Sequence, residues 1–315
     1  MDHIAFAAPR PYRWDMMHPD QLHIDADLVR VLIADQFPQY GREKVEKLET
    51  TGTVNAIFRV GSNIAARFPL QATNPAEYAE IEILRNEAAA MAEFAQHSPV
   101  PAPQPMGIGH PARNYPMPWM MQSWIEGDVA TPDGLSTSNN FALDIANLIA
   151  SLRLADTKGR SFSGTGRGGD LTDHDEWIET CFRNSEGLLD VARLRWKWEQ
   201  LRALPSSGAD VMSHCDLIPG NLLARDGHLV GVLDSGGFGP ADPALDLVAA
   251  WHLFDRERRN ILRRHLQSGD FEWKRGAAWA FQQAMGLVWY YRVSNPAMSM
   301  LGRSTLSRIL DDSEI

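Results

Sequence analysis

Residues 211–234 read VMSHCDLIPGNLLARDGHLVGVLD, and their order predicts a small geometric device. Asp226 and Gly227 form the strongest two-residue hairpin signal, flanked by the strand candidates Leu222 to Arg225 and His228 to Leu233. With those two residues as the turn, Arg225 pairs with His228, and the ladder sets Asn221 opposite Val232 and Pro219 opposite Asp234. Asn221 and Asp234 then share the open end of the hairpin, roughly 7 to 8 Å apart as diagonal neighbours. An amide oxygen and a carboxylate there suit one or two hard cations, since Mg2+ takes oxygen ligands and commonly uses one or two carboxylates plus phosphate oxygens. Asp216 lies in the loop that feeds this end.

Upstream of the hairpin the sequence alternates between strand and helix signals. Leu28 to Gln36 has Leu28, Leu32 and Ile33 on one helical face, with Asp25 and Asp27 near its start, where the helix dipole favours negative charge. Asn55 to Val60 and Ile64 to Phe68 alternate about the turn residues Gly61, Ser62 and Asn63, a second hairpin. Asn74, Pro75 and Glu77 mark a helix start whose periodicity runs to His97, and Pro99, Pro101, Pro103 and Pro105 stop it. Two short strands are expected near Gln104 to Ile108 and Met117 to Trp124, broken by Glu126, Gly127 and Asp128. Further helices are expected at Phe141 to Leu154, Trp177 to Leu204, Leu247 to Arg264 and Trp273 to Val293. A β-rich lobe, residues 1–122, thus precedes a larger helical one, residues 123–315.

Composition narrows the partners. Thirty Lys and Arg against forty Asp and Glu give a net charge of −10 in 315 residues, the wrong sign for neutralising nucleic-acid phosphates. Cys181 and Cys215 are too few for a disulfide framework or a multi-cysteine zinc site. No run approaches a membrane span, and Met1 to Trp14 lacks a secretory apolar core, so a cytoplasmic protein acting on a small molecule, with no nucleic-acid or membrane partner, is expected. Nothing in the sequence specifies an oligomeric state. The piece Gly164 to Gly169 fits Gly-x-Gly-x-x-Gly, but no strand precedes it, and it reads as a loop. P-loop, zincin and α/β-hydrolase signatures are absent.

Three clusters in this order, His214-Cys215-Asp216 with Asn221, Asp234-Ser235-Gly236, and Asp242-Pro243-Ala244-Leu245-Asp246-Leu247, resemble the aminoglycoside phosphotransferase family. Its members usually read His-Gly-Asp, Asp-Phe-Gly and Asp-Pro-Ala-x-Asp-Leu at this spacing. The likeness extends upstream through Thr51 to Gly61, Ala66 to Pro69 and Trp119 to Gly127. It implies an α+β, protein-kinase-like two-lobed fold with a small antiparallel β N-lobe and a larger helical C-lobe. It implies Mg2+-dependent transfer of the γ-phosphoryl of ATP or GTP to a hydroxyl of a small molecule, the family's acceptors including aminoglycosides and macrolides. Alternatives are a kinase of an amino alcohol or sugar, and a weakly catalytic nucleotide-binding regulatory module. In that likeness Asp216 orients the substrate hydroxyl and accepts its proton, and Asn221 and Asp234 are the magnesium ligands. Thr53 and Asn55 belong to the loop over the phosphates, while the Ser123 carbonyl and the Ile125 N–H contact the base.

Arg67 stands where protein kinases and many relatives have Lys, and Glu87, an acid in the apolar stripe between Leu84 and Met91, is its expected partner. Ser235, Cys215 and Ile218 depart from the family's usual Phe, Gly and His. His214 is expected to hold the turn through backbone hydrogen bonds, Asp242 to act as a turn or cap residue, and Asp246 to brace a loop. Cys215 reads as inert, the tryptophans mainly as core, and the acidic stretches 173–176 and 311–314 as solvated faces unless they line the cleft.

Overall fold

The computed structural model describes residues 21–49, 54–72, 77–164, 166–206 and 208–315. Helix α1 (Ala26–Gln36) starts where the Asp25 carboxylate accepts from the Leu28 N–H at 2.9 Å, and it buries Val29, Leu32 and Ile33. Strands β1 (Val45–Lys47), β2 (Asn55–Val60) and β3 (Ile64–Pro69) follow, then helix α2 (Glu77–His97) and strands β4 (Pro105–Gly109) and β5 (Trp119–Ser123). The five strands form one antiparallel sheet in the order β1-β2-β3-β5-β4. The β2–β3 hairpin turns where the sequence places it, with Val60 opposite Ile64. The alternation in β2 buries Ala56, Phe58 and Val60, which join Phe68, Trp119 and the buried face of α1 in one cluster. Phe68 stacks on Trp119 with ring centroids 4.7 Å apart, and Gly109 is required beside it, since a Cβ there would lie 2.1 Å from the indole. The start signature at Asn74 and Pro75 lies outside the described residues.

After β6 (Asp128–Val129) come helices α3 (Asn139–Arg153), α4 (Asp175–Asn184) and α5 (Val191–Leu201). The single helix expected over Trp177 to Leu204 is therefore two, because Gly187 takes a φ of +73° and Asp190 caps a new start by accepting from the Arg193 N–H at 3.1 Å. Strands β7 (Val211–Ser213), β8 (Leu222–Arg225), β9 (His228–Val232) and β10 (Gly239–Ala241) make two small sheets, β10 with β7 and β6-β8-β9. Helices α6 (Val248–Leu253), α7 (Arg256–Leu266), α8 (Asp270–Tyr290) and α9 (Pro296–Leu310) complete the chain. The helix expected over Leu247 to Arg264 also divides, at Asp255, whose carboxylate accepts from the Arg258 N–H at 2.9 Å. Helix α9 was not expected, although Asn295 before Pro296 is a cap followed by a proline in the first turn.

A second apolar cluster is built from α3 to α9 and includes Trp198, Trp251, Trp273 and Trp279. Phe94 near the end of α2 belongs to this larger cluster, so α2 is anchored in the helical part while its middle reaches the sheet side of the cleft. Among the described residues no helix is long and apolar enough to cross a membrane.

Candidate active site

The β8–β9 hairpin turns at Asp226 and Gly227, with Arg225 opposite His228. Its ladder then departs from the simple count. Ala224 faces Leu229 but Leu223 faces Gly231, so Val230 is an extra residue, and Leu222 rather than Asn221 lies opposite Val232. The Leu233 N–H consequently donates to the Asn221 carbonyl at 2.8 Å, which joins the two chain segments just outside the ladder.

The loop after β7 is held from below. Asp246 accepts the His214 N–H at 2.9 Å on one oxygen and the Cys215 N–H at 3.1 Å on the other, the bracing expected of it. The His214 ring is fully buried; its Nδ1 accepts from the Asp216 N–H at 3.3 Å, which leaves Nε2 to carry the hydrogen donated to the Leu233 carbonyl at 2.9 Å. With both ring nitrogens engaged by backbone, His214 joins the Asp216 loop to the residue preceding Asp234. Cys215 holds a φ of +71°, and its thiol is pushed up to about 12, chiefly by burial and then by the Asp246 charge. Asp242 turns the chain by accepting from the Ala244 N–H at 2.9 Å, and its other oxygen takes Arg275 at 2.7 Å and the Trp279 indole at 3.1 Å.

The Asp216 carboxylate receives three side chains. Arg167 Nη2 and Gln283 Nε2 each donate to Oδ1 at 2.7 Å, and Asn221 Nδ2 donates to Oδ2 at 3.1 Å and to the Asp216 carbonyl at 2.9 Å. Neither Arg167 nor Gln283 was singled out from the sequence. The signals were faint: one arginine inside the Gly-rich loop, and two adjacent glutamines, Gln282 and Gln283, in an otherwise apolar stretch of α8.

Asp234 is held more lightly. It occupies the left-handed region at φ 55° and ψ 45°, its side chain is 50% exposed, and Oδ1 accepts from Arg67 Nη2 at 2.9 Å. The expected partner of Arg67 is Glu87, so this bond is a correction: the Arg67 side chain, 11% exposed, spans to the loop after β9 instead. Glu87 remains close, because a Cβ at Gly236 would come within 3.2 Å of its own Cβ. Burial is the main cause that raises the Glu87 pKa; the charges of Asp234 and Glu80 add to it and Arg67 opposes it.

A cleft of about 920 Å3 gathers Asn55, Arg67, Glu87, Asp216 and Asp234. Thr53 lies outside the described residues. Ser123 and Ile125 are not among the residues lining it. Ser123 ends β5 with its hydroxyl accepting from the Gln104 N–H at 2.9 Å, and the Ile125 side chain covers Gly231, where an added Cβ would lie 2.7 Å from it. A second cavity of about 550 Å3 is lined by Asp173, His174, Glu176, Trp177 and Gln282, and Gly166 and Arg167 line both spaces. Arg167 is thus the partition between them, with Asp216 on it. Of the acidic stretch 173–176, Asp175 is withdrawn into a pair with Arg202 and the Trp198 indole. In the stretch 311–314, Asp312 is buried on Arg259 at 2.8 Å rather than solvated.

A five-stranded antiparallel lobe over a helical one, with paired carboxylate loops in the cleft between, defines a kinase-like α+β protein. The chain belongs to the phosphotransferase enzyme family, whose family model matches residues 50–279 of the 315. Among solved structures it is similar to the GDP complex of wild-type aminoglycoside 2'-phosphotransferase-IIIa, at 17% identity and a TM-score of 0.66 over 90% of this chain and 99% of that one. It is similar to the macrolide 2'-phosphotransferase MphH from Brachybacterium faecium at 15% identity and a TM-score of 0.58, over 90% of this chain and 97% of that one. The streptomycin and ATP ternary complex of APH(2")-IIa matches at 15% identity and a TM-score of 0.57, over 93% and 98%. No curated protein matches by sequence. The fold expected from the motifs, a small β lobe before a larger helical one, is the fold found.

Proposed function

We propose that this protein transfers the γ-phosphoryl group of ATP or GTP to a hydroxyl of a small molecule. The observation that carries the reading is the position of Asp216, fixed by three side-chain donors in the cleft that holds Arg67 and Asp234, one of those donors being Arg167, which also lines the space of Asp173 and Glu176. Phosphoryl transfer asks for positioning and charge neutralisation more than for covalent chemistry. Residues 1–122 supply the nucleotide side and residues 123–315 the acceptor side. Arg67 binds phosphate oxygens, Asn55 at the start of β2 and Thr53 are further phosphate contacts, Glu87 sets the charge around Arg67, and Ser123 and Ile125 meet the base through their backbone.

The residues present fit Mg2+. Asn221 spends its amide hydrogens on Asp216, which leaves the amide oxygen as its ligand atom, and Asp234 offers a half-exposed carboxylate; both are hard oxygen donors. When bound, the ion would neutralise charge on the transferred phosphoryl group. Asp216 orients the attacking hydroxyl and takes its proton, and the Arg167 guanidinium beside it keeps the carboxylate in place. Asp173, Glu176 and the half-exposed Trp177 favour an acceptor with an amine and an apolar face, which an aminoglycoside or a simpler amino alcohol supplies.

The test is nucleoside-diphosphate release with MgATP and MgGTP over a panel of aminoglycosides, macrolides, sugars and amino alcohols, beside Asp216→Asn. Release that requires one acceptor and is lost in the variant is the expected result. Equal release by the variant removes Asp216 from its role, and nucleotide binding without turnover across the panel points to a regulatory module.

A further inference from the structure

Behind Asp216 lies a line of polar side chains that the transfer reaction does not itself require. Gln283 on α8 donates from Nε2 to Asp216 Oδ1 at 2.7 Å, and its Oε1 lies 3.1 Å from His252 Nε2 on α6. His252 Nδ1 lies 2.8 Å from Thr305 Oγ1 on α9. His252 and Thr305 are both fully buried, the histidine between Trp251 and Leu253 of the apolar cluster. A hydrophobic side chain in either place would fill the same space without the desolvation cost of a polar one.

We infer that Thr305, His252 and Gln283 form a one-way hydrogen-bond chain that positions the Asp216 carboxylate, with Gln283 and His252 as positioning residues. The inference rests on the proposed role of Asp216. The direction of every bond follows from its ends. An ionised carboxylate only accepts, so Gln283 must face it with its amide nitrogen, and the amide oxygen is left facing His252. That oxygen only accepts, so His252 Nε2 carries the hydrogen. In a neutral ring Nδ1 is then bare, and it accepts the Thr305 hydroxyl. The ring is neutral near pH 7, since burial lowers its pKa to about 4.

The chain holds the Gln283 amide from both ends. A half-turn of the Gln283 amide would set its oxygen against Asp216 Oδ1 and its NH2 against the His252 Nε2–H, two repulsive contacts in place of two bonds. The His252 Nε2–H therefore reinforces the orientation that the carboxylate sets on Gln283. Gln283 and Arg167 share Oδ1, while Asn221 holds Oδ2, so the carboxylate is fixed in both position and rotation before any ligand enters.

The test uses the full chain and two readouts. Two-bond 1H–15N correlation of the wild-type protein is expected to show His252 as the Nε2–H tautomer; the Nδ1–H tautomer would overturn the chain. ADP release from MgATP, with water and with kanamycin as acceptors, is then compared among folded variants at a temperature below all their melting points. Gln283→Met and His252→Phe are expected to lower kcat roughly tenfold while the KM for MgATP stays within about twofold. His252→Gln, whose amide nitrogen replaces the Nε2–H, is expected to restore most of the rate. Gln283→Glu keeps the shape but offers Asp216 no amide donor, and is expected to be slower than Gln283→Met. Wild-type kcat in both Gln283→Met and His252→Phe, with Asp216→Asn inactive, overturns the positioning role and leaves the phosphotransferase reading standing. Wild-type kcat in Asp216→Asn overturns that reading instead, whatever the tautomer.

Discussion

The two cleft carboxylates, Asp216 and Asp234, differ in how much of the molecule holds them. Asp216 receives Arg167, Gln283 and Asn221, and its loop is pinned by Asp246 on two backbone N–H groups. Asp234 is half exposed and bonded to one side chain, Arg67, which comes from the other lobe. A group that must meet a hydroxyl at one angle gains from being fixed in advance, since misplacement by about 1 Å can cost roughly a hundredfold in rate. A group that must accept a charged, mobile ligand gains from a partner able to exchange. Arg67 is such a partner, because a guanidinium binds phosphate as readily as carboxylate.

The largest expected effect tests the rigid half of this contrast. Asp216→Asn should lower kcat by roughly a hundredfold to ten thousandfold, the range for losing a positioned general base, with the KM for nucleotide little changed. Steady-state kinetics with the acceptor found by the panel decides it. Next, Asp246→Ala should lower unfolding free energy by roughly 1 to 3 kcal/mol in urea titration, because it leaves the buried His214 N–H without an acceptor and the Cys215 N–H with the Ser213 hydroxyl alone. Asp234→Ala should lose less, about 1 kcal/mol, because the carboxylate removed is half exposed and Glu87 remains to offset the Arg67 charge, and should instead weaken Mg-nucleotide binding measured calorimetrically. Equal stability losses at the two places would erase the contrast.

The two halves should also titrate in opposite senses. His252, behind Asp216, has its pKa lowered from 6.5 to about 4, chiefly by burial. The unfolded chain therefore takes up a proton as pH falls through 6.5, and stability present above that value drains away by about 3 kcal/mol on reaching pH 4. Glu87, beside Asp234, has its pKa raised, so its stabilising contribution is complete below 4.5 and is lost as pH rises through its elevated folded value. Urea midpoints should show His252→Gln flattening the acid side of the stability profile. Glu87→Gln should raise stability at pH 7 and leave it unchanged near pH 4. The smallest effect concerns thiols: burial pushes Cys215 up to about 12 and Cys181 up to about 11, so neither should alkylate in the native protein at pH 8, as mass spectrometry would report.

Local chemistry made much of this molecule readable in advance. The turns at Gly61 to Asn63 and at Asp226 and Gly227 depend on neighbouring residues, and the alternation of β2 buries the residues it marks. Of the three supports of Asp216, Asn221 lies five residues away within the motif, whereas Arg167 and Gln283 reach it across 49 and 67 residues, which no spacing encodes. The Arg67–Asp234 bond joins positions 167 residues apart, and a helix stripe offered Glu87 as a nearer candidate. Helix breaks at Asp190 and Asp255 stood in plain sight as capping residues, yet unbroken apolar periodicity outweighed them. Val230 is the hardest case, since a strand with one extra residue carries the same pattern as one without it.

That surplus residue sets where the gene can change length. Asp226 at the tip is exposed, and a codon added there extends the turn while the ladder beneath keeps its partners. A codon removed at Val230 would take out the surplus residue and the bend it gives the strand, yet leave Leu222 opposite Val232 and Leu233 beside Asn221. Length changes at the tip and at the bulge would therefore both spare the Asn221–Leu233 bond, because each lies on the far side of the Leu222–Val232 pair from the cleft.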